Sequence, residues 1–151
     1  MRQNQRHTYC YYLQIIVITT FFGRRAMRKS LIIIVEDEIE IAMILRELLN
    51  AAGFQNILTY DVPLTALQHI QNGLKPAILI SNFRMPGMNG VQLLDAVTHL
   101  NSAIEGIIIT ADPDLARAES TRYPILDKTN LTIGKRLIQL VRDRMPEVSL
   151  P

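Results

Sequence analysis

The sequence predicts one α/β domain built on a doubly wound, five-stranded parallel sheet. Its 151 residues suit a single domain. Short apolar runs alternate with longer segments whose apolar residues recur at helical spacing, which is typical of consecutive βα units. No internal repeat or low-complexity segment interrupts this alternation. Because βα units cover a parallel sheet with helices, we expect helices on both faces.

Five short apolar runs predict the strands. In chain order they lie within the segments SLIIIVED, NILTY, PAILIS, EGIIITA and YPILD. The first run is continuously apolar rather than alternating, and it ends in acids. This pattern is typical of a strand buried on both faces of a parallel sheet.

Helical spacing predicts the five helices. They lie within EIEIAMILRELLNAAG, DVPLTALQHIQNG, GVQLLDAVTHLN, the short and weak DPDLARAEST, and TNLTIGKRLIQLVRDRM. Gly53 and Gly73 are expected to end the first two helices, and Asp61 to cap the second, just before Pro63. Residues predicted to face the core include Ile41, Leu45, Leu48, Ala52, Val91, Leu94, Val97, Leu100, Leu137, Leu140 and Val141.

Charge is divided unevenly along the chain. Residues 1–30 carry six basic side chains and no acid, giving +6, whereas residues 31–151 carry 10 bases and 14 acids, giving −4. The mildly acidic body argues against a nucleic-acid partner. The single cysteine, Cys10, cannot form an internal disulfide, which fits a reducing, cytoplasmic compartment.

Residues 1–27 form a leader unlike the rest. Their apolar stretch YCYYLQIIVITTFFG is shorter than the roughly 20 residues that span a bilayer, and no A-x-A-like cleavage site follows it. We favour translation beginning at Met27. The alternatives are a membrane-associating leader, which alone would imply a membrane partner, and a poorly ordered extension. The predicted divisions are therefore a leader at 1–27, a domain at 28–145 and a tail at 146–151.

Polar residues follow four of the predicted strands. Glu36 and Asp37 follow the first strand, Asn82 the third, Thr110 the fourth and Lys128 the fifth. Because the carboxyl ends of parallel strands share one edge, these side chains are expected to lie together. An acid pair suits a hard divalent ion such as Mg²⁺, and a hydroxyl with an ammonium suits phosphoryl oxygens. The set predicts a pocket that handles a phosphoryl group.

The motifs LIIIVEDE, ILISNFRMPGMNG, IIITAD and ILDKT, in this order, resemble the receiver domain of bacterial response regulators. The resemblance covers roughly residues 28–144. It implies a flavodoxin-like fold that accepts a phosphoryl group from a histidine kinase onto an aspartate, assisted by Mg²⁺. Glu36 and Asp37 match the acid pair and Arg84 the residue whose backbone carbonyl ligates the metal. Thr110 matches the switch hydroxyl and Lys128 the pocket lysine.

The sequence departs from this family at the reacting position. Asn82, four residues before Pro86, stands where the family has its phosphoacceptor aspartate. A carboxylate oxygen can form an acyl phosphate, and a neutral carboxamide does not do so at a useful rate. The substitution also removes one negative charge, so Mg²⁺ is expected to bind more weakly at Glu36, Asp37, Asn82 and the Arg84 carbonyl.

Two further departures lie near the fifth strand. Lys128 precedes Thr129 rather than a proline, so the family's customary cis peptide is not expected. Ile125 stands at the family's switch-aromatic position, and Tyr123 lies two residues out of register. The segment from Thr110 to Lys128 also looks about one helical turn short. We therefore expect an altered signalling face.

These observations favour a stand-alone, non-enzymatic receiver-like protein that acts in phosphorelay signalling by protein–protein interaction, without ordinary aspartyl phosphorylation. The expected partner is a sensor histidine kinase, a downstream effector or a second copy. The amphipathic last helix, with the shortened fourth helix, is one candidate surface for it, but we favour the alternative that its apolar residues close the core. A drifted gene copy without a present function fits the same pattern.

Two alternatives stay open. Phosphorylation through Ser81 is one, although alternation along a strand turns Ser81 away from the pocket. A metal-dependent hydrolase on the same fold is the other, although His69 and His99 are both expected on helix surfaces.

Overall fold

The computed structural model describes residues 30–145, so the leader at 1–27 and the tail at 146–151 lie outside the described residues. The strands are β1 (Ile32–Val35), β2 (Ile57–Tyr60), β3 (Ile78–Asn82), β4 (Glu105–Thr110) and β5 (Ile125–Asp127). The helices are α1 (Ile39–Ala51), α2 (Pro63–Gln71), α3 (Gly90–Leu100), α4 (Pro113–Glu119) and α5 (Ile133–Arg144). The five predicted βα units are confirmed, including the short fourth helix.

All five strands pair in parallel in the order β2-β1-β3-β4-β5. The chain runs from β1 to one edge of the sheet and then crosses to the other side at β3. The carboxyl ends of β1 and β3 therefore flank the switch point, where open α/β sheets bind ligands.

Two apolar layers cover the sheet, one on each face. Alternate residues of β1 and β3 point to opposite sides, as the pleat of a strand requires. Ile32, Ile34, Ile78 and Ile80 pack in one cluster with the buried faces of α1 and α5. Ile33 and the other alternate residues pack in a second cluster with α2, α3 and α4. β1 and β3 are thus buried on both faces, as predicted for the first strand, whereas Leu58 on the edge strand β2 is 41 % exposed.

Helix ends were predicted with mixed success. Gly53 and Gly73 follow α1 and α2 with φ of 96° and 105°, a left-handed conformation that glycine adopts without strain. The prediction that Asp61 caps α2 was wrong. The cap residue is Val62, which makes no side-chain cap bond, because Pro63 already occupies the first helical position.

Most residues predicted to face the core do so, and Leu100 was the error. Leu100 is 50 % exposed. Each three-residue step from Val91 through Leu94 and Val97 turns the side chain by about 300°, so by Leu100 it has moved about 180° from Val91.

The apolar residues of the last helix close the core, the outcome favoured over an exposed docking patch. Leu137 and Val141 are buried in the core, and Leu140 is partly buried against it. Exposed apolar residues occur on other elements as well; on α1, Ile39 and Met43, one turn apart, are each 61 % exposed. Within residues 30–145, no helix is both long and apolar enough to cross a membrane.

Candidate functional site at the carboxyl edge of the sheet

The predicted site residues gather at one edge because parallel strands deliver their ends there. Glu36 and Asp37 directly follow β1, and Asn82 is the last residue of β3. Thr110 ends β4, and Lys128 directly follows β5. Hydrogen bonds link them in two groups, one around Glu36 and one around Asn82.

A buried ion pair closes one side of the pocket. Lys128 Nζ donates to Glu36 Oε2 at 2.7 Å, and the two side chains are 11 % and 1 % exposed. Burial raises the pKa of Glu36 above its ordinary value of 4.5, while the Lys128 ammonium opposes that rise. The pair links the ends of β1 and β5. The attraction between the two charges offsets the free-energy cost of removing each of them from water.

Asn82 forms the other side of the pocket. Its side-chain Nδ2 donates one hydrogen bond to Asp37 Oδ1 at 2.8 Å and another to the backbone oxygen of Arg84 at 2.8 Å. The carboxamide thus uses both of its N–H donors on the two oxygen groups beside it. Asn82 itself is 8 % exposed, whereas Asp37 and Arg84 are exposed residues, so these hydrogen bonds are partly buried.

Thr110 is buried but does not bond to the other pocket side chains through its hydroxyl. Its Oγ1 accepts from the backbone N–H of Asp112 at 2.9 Å, which fixes the start of the loop to α4. Its backbone oxygen accepts from Lys128 N at 2.7 Å. The Arg84 side chain reaches the same loop, where Nε lies 2.9 Å from Asp112 Oδ2. The pocket is therefore connected to the start of α4.

The loop between β3 and α3 is held by its own polar contacts. Asn89 caps α3 by accepting from Gln92 N at 2.9 Å, and the Gln92 side chain accepts from Asn89 N at 3.0 Å. Asn89 also donates to Glu119 Oε1 at the end of α4, at 2.7 Å. A β-carbon at Gly90 would overlap the backbone oxygen of Asn82, so only glycine lets α3 begin this close to the pocket.

Ser81 lies outside the pocket. It is fully buried, and its hydroxyl donates to the backbone oxygen of Asn82 at 3.0 Å. Its neighbours Leu79 and Phe83 belong to the cluster beneath α2 and α3, on the other face of the sheet from the pocket side chain of Asn82. This geometry argues against Ser81 as a phosphoryl acceptor.

The histidines are placed as expected for helix-surface residues. His69 is exposed and its Nδ1 lies 2.8 Å from the hydroxyl of Tyr60, whose ring meets it edge-on. His99 lies exposed in the last turn of α3. Neither position supports the hydrolase alternative.

The sequence did not predict the group of contacts around the buried ring of Tyr123, which forms the Tyr123 cluster. Tyr123 is 7 % exposed and donates to Asp95 Oδ1 at 2.6 Å, and its hydroxyl also lies 3.1 Å from Thr98 Oγ1. Burial and the Asp95 hydrogen bond raise the pKa of Tyr123 above 10.0, so the phenol stays protonated. Arg122 covers the ring at 5.5 Å. Tyr123, the aromatic residue that lies two residues out of register, is therefore held against α3 by hydrogen bonds.

Gly106 makes room for this cluster. A β-carbon there would lie 2.8 Å from Tyr123 Cδ1 and 2.9 Å from the methyl groups of Leu94. A glycine inside a predicted strand indicates a close approach by another group. That was the signal in the sequence that could have identified the cluster.

We expect Tyr123→Phe to lower the free energy of unfolding by about 1–2 kcal/mol, because Phe keeps the ring but loses the bonds to Asp95 and Thr98. Tyr60→Phe is the matched control. It removes the exposed contact with His69 and should cost about 0.5 kcal/mol or less. Urea unfolding followed by circular dichroism measures both. Equal losses would contradict a buried role for the Tyr123 hydroxyl.

Fold and site together define a doubly wound α/β domain with a polar cluster at the switch point of the sheet. The family model for the response regulator receiver domain matches residues 32–122. The chain belongs to this family, and its association with two-component signalling follows from that membership.

Relatives and solved structures agree with this assignment. The chain is 31 % identical over 94 residues to the DNA-binding transcriptional regulator NtrC of Escherichia coli, covering 62 % of this chain and 20 % of that protein. It spans about a fifth of the length of NtrC. It is 27 % identical to sporulation initiation phosphotransferase F of Bacillus subtilis, over 64 % of this chain and 76 % of that protein.

A solved receiver domain from Clostridium thermocellum shares the fold. The TM-score is 0.65 at 20 % identity, and the match covers 77 % of this chain and 94 % of that one. The predicted flavodoxin-like fold and family resemblance are thereby confirmed.

Proposed function

We propose that this protein is a receiver-domain signalling protein that acts by binding a partner protein, without ordinary aspartyl phosphorylation. The observation that carries the proposal is the position and bonding of Asn82. It ends β3 beside the acid pair, and its amide nitrogen faces Asp37 and the Arg84 carbonyl. The group at the acceptor position is therefore a neutral hydrogen-bond donor.

The chemistry of the carboxamide supports this proposal. Phosphoryl transfer to a side chain needs a nucleophilic atom with an available lone pair, such as a carboxylate or hydroxyl oxygen or an imidazole nitrogen. The Asn82 nitrogen carries two hydrogens, both in hydrogen bonds, and it has no lone pair available because of amide resonance. The neighbouring hydroxyl on Ser81 is buried and faces away. The pocket keeps its lysine and acids but offers no suitable acceptor at this position.

Such a domain is expected to act by binding a partner protein. By analogy with the matched regulators, the partner is a sensor histidine kinase or a downstream effector protein, and a second copy is the remaining candidate. We propose that the domain acts in the cytoplasm, without enzymatic activity and without contact to nucleic acid. The hydrogen bonds that hold Asn82 and Tyr123 are compatible with constitutive binding of that partner.

Incubation with a small phosphodonor and Mg²⁺, followed by intact-protein mass measurement, tests this proposal. We expect no phosphoryl adduct on the wild type. Asn82→Asp restores a carboxylate beside Lys128 and the acid pair, and should gain a stoichiometric, acid-labile adduct.

The variants separate the alternatives. A stoichiometric adduct on the wild type would refute the proposal, and its loss in Ser81→Ala would assign that adduct to Ser81. An adduct that forms on Asn82→Asp but not on Asn82→Asp/Lys128→Met, with both variants shown to be folded by circular dichroism, would show that the phosphoryl group enters the predicted pocket.

A further inference from the structure

The Asn82 carboxamide contacts the same two groups that the family resemblance assigns to a metal ion. These groups are the Asp37 carboxylate and the Arg84 backbone carbonyl, each 2.8 Å from Asn82 Nδ2. The orientation of the amide follows from this network. Turned over, its oxygen would face two other oxygens with no proton between them.

An N–H group and a magnesium ion place positive charge at similar distances from an oxygen. Hydrogen-bonded N–H hydrogens lie about 1.9–2.0 Å from the acceptor, and Mg²⁺ lies about 2.0–2.1 Å from its ligands. The two amide hydrogens of Asn82 therefore stand near the distance at which a cation would contact Asp37 Oδ1 and the Arg84 oxygen.

The third expected ligand is already neutralised. Glu36 Oε2 accepts from Lys128 at 2.7 Å, and Oε1 accepts from the backbone N–H of Glu38 at 3.4 Å. Glu36 is 1 % exposed, so a metal would have to disturb a buried ion pair to reach it. Across residues 30–145, no three His, Cys, Asp or Glu side chains converge as a metal-binding group. The residues present do not fit a resident Mg²⁺.

We infer that the Asn82 carboxamide takes the structural place of the divalent cation, so that this pocket is held together without a metal. The positive ends of its two N–H bonds hold Asp37 and the loop carbonyl in position. A side chain of the protein itself, the Asn82 carboxamide, thus takes the role that the metal has in the family. The inference goes beyond the proposed function, because it concerns how the pocket is held and not whether it is phosphorylated.

Nuclear magnetic resonance of the full chain tests the inference directly. The side-chain NH₂ group of Asn82 should give two separate signals that exchange slowly with solvent, because both hydrogens are bonded and the residue is buried. Addition of millimolar Mg²⁺ should leave both signals unmoved. A saturable shift, or loss of exchange protection, would show that the amide turns its oxygen to an ion and would overturn the inference.

Thermal unfolding gives an independent measurement. The wild type should unfold at the same Tm in Mg²⁺ and in EDTA. Asn82→Asp places a second carboxylate against Asp37, so its Tm should be higher in Mg²⁺ than in EDTA. Asn101→Asp is the control for added charge, because its side-chain oxygen can still accept from Ala103 N, and its Tm should not respond to metal.

A wild-type Tm that rises with Mg²⁺ as much as that of Asn82→Asp would overturn the inference. This outcome is distinct from failure of the proposed function. A phosphoryl adduct on the wild type would refute the proposed function, whereas the inference is decided by the response of the wild-type pocket to Mg²⁺.

Discussion

Lys128→Met is expected to lower the free energy of unfolding at neutral pH by about 3–5 kcal/mol, the largest effect of any single pocket substitution. The Glu36 carboxylate is 1 % exposed, and the lysine ammonium lies 2.7 Å from it. Met fills a similar volume but carries no charge. A buried carboxylate would then remain without its counter-charge, which costs far more than the loss of a surface ion pair.

The pH dependence of this variant has a definite sign. Burial already raises the pKa of Glu36 above 4.5, and removal of Lys128 takes away the main opposing influence. The folded state then binds a proton more tightly than the unfolded state does. Stability therefore falls as the pH rises from 4.5 through the raised pKa, and recovers as the pH is lowered towards 4.5. Urea titrations followed by circular dichroism near pH 5 and pH 8 measure the difference.

The double variant Glu36→Gln/Lys128→Met is the matched control. It removes both charges and keeps the shapes, so it should recover most of the lost stability at neutral pH. Equal losses in the single and double variants, or a loss that does not change with pH, would show that Lys128 stabilises the fold by packing rather than by charge.

Gly90→Ala is expected to cost about 3 kcal/mol, although alanine is normally the better residue in a helix. The new β-carbon would overlap the backbone oxygen of Asn82. That oxygen belongs to the last residue of β3 and cannot rotate aside as a side chain could. Either α3 or the end of β3 must move, and the Asn82 amide moves with the strand. Urea unfolding measures the loss of stability, and the Asn82 NH₂ signals report the displacement.

Gly87→Ala separates this clash from a general sensitivity of the loop. Gly87 has φ of 80°, and a β-carbon added to it would meet no other atom within 4 Å. Alanine there should cost about 1–2 kcal/mol of backbone strain and leave the Asn82 signals unchanged. If Gly90→Ala were no worse than Gly87→Ala, the close approach of α3 to Asn82 would not constrain the site.

The sequence predicted the fold well because its signals are local and repeated. Runs such as Ile32–Val35 are apolar on both faces, which parallel strands require. The helix starts were less certain where two signals competed. Asp61 and Pro63 both indicate a helix start, but the proline fixes the first helical position, so the residue before it must be the cap.

The membership of the site could also be predicted, because strand order alone brings Glu36, Asp37, Asn82 and Lys128 to one edge. The direction of the hydrogen bonds could not. The sequence does not say which groups meet the Asn82 amide, and only the positions of the Asp37 carboxylate and the Arg84 carbonyl together turn its nitrogen towards them.

Gly106 is a sequence signal for a close approach at the Tyr123 cluster, but it does not identify the hydrogen-bond partners of the ring. The cluster needs a hydroxyl, a carboxylate and a glycine from α3 and β4 to meet one ring. Their separations along the chain follow no helical or strand period. Contacts of this kind depend on how three elements pack, which a pattern within one element does not report.

The ion pair between Glu36 and Lys128 also has a consequence for synthesis. Its partners are 92 residues apart in the chain. At translation speeds of about 5–20 residues per second, Glu36 leaves the ribosome roughly 5–18 seconds before the lysine that neutralises it. Until β5 and Lys128 have been synthesised, the nascent chain cannot bury the end of β1 without leaving the Glu36 carboxylate unpaired in the interior. The domain should therefore complete the packing around the end of β1 late, and truncated chains ending before residue 128 should remain incompletely folded.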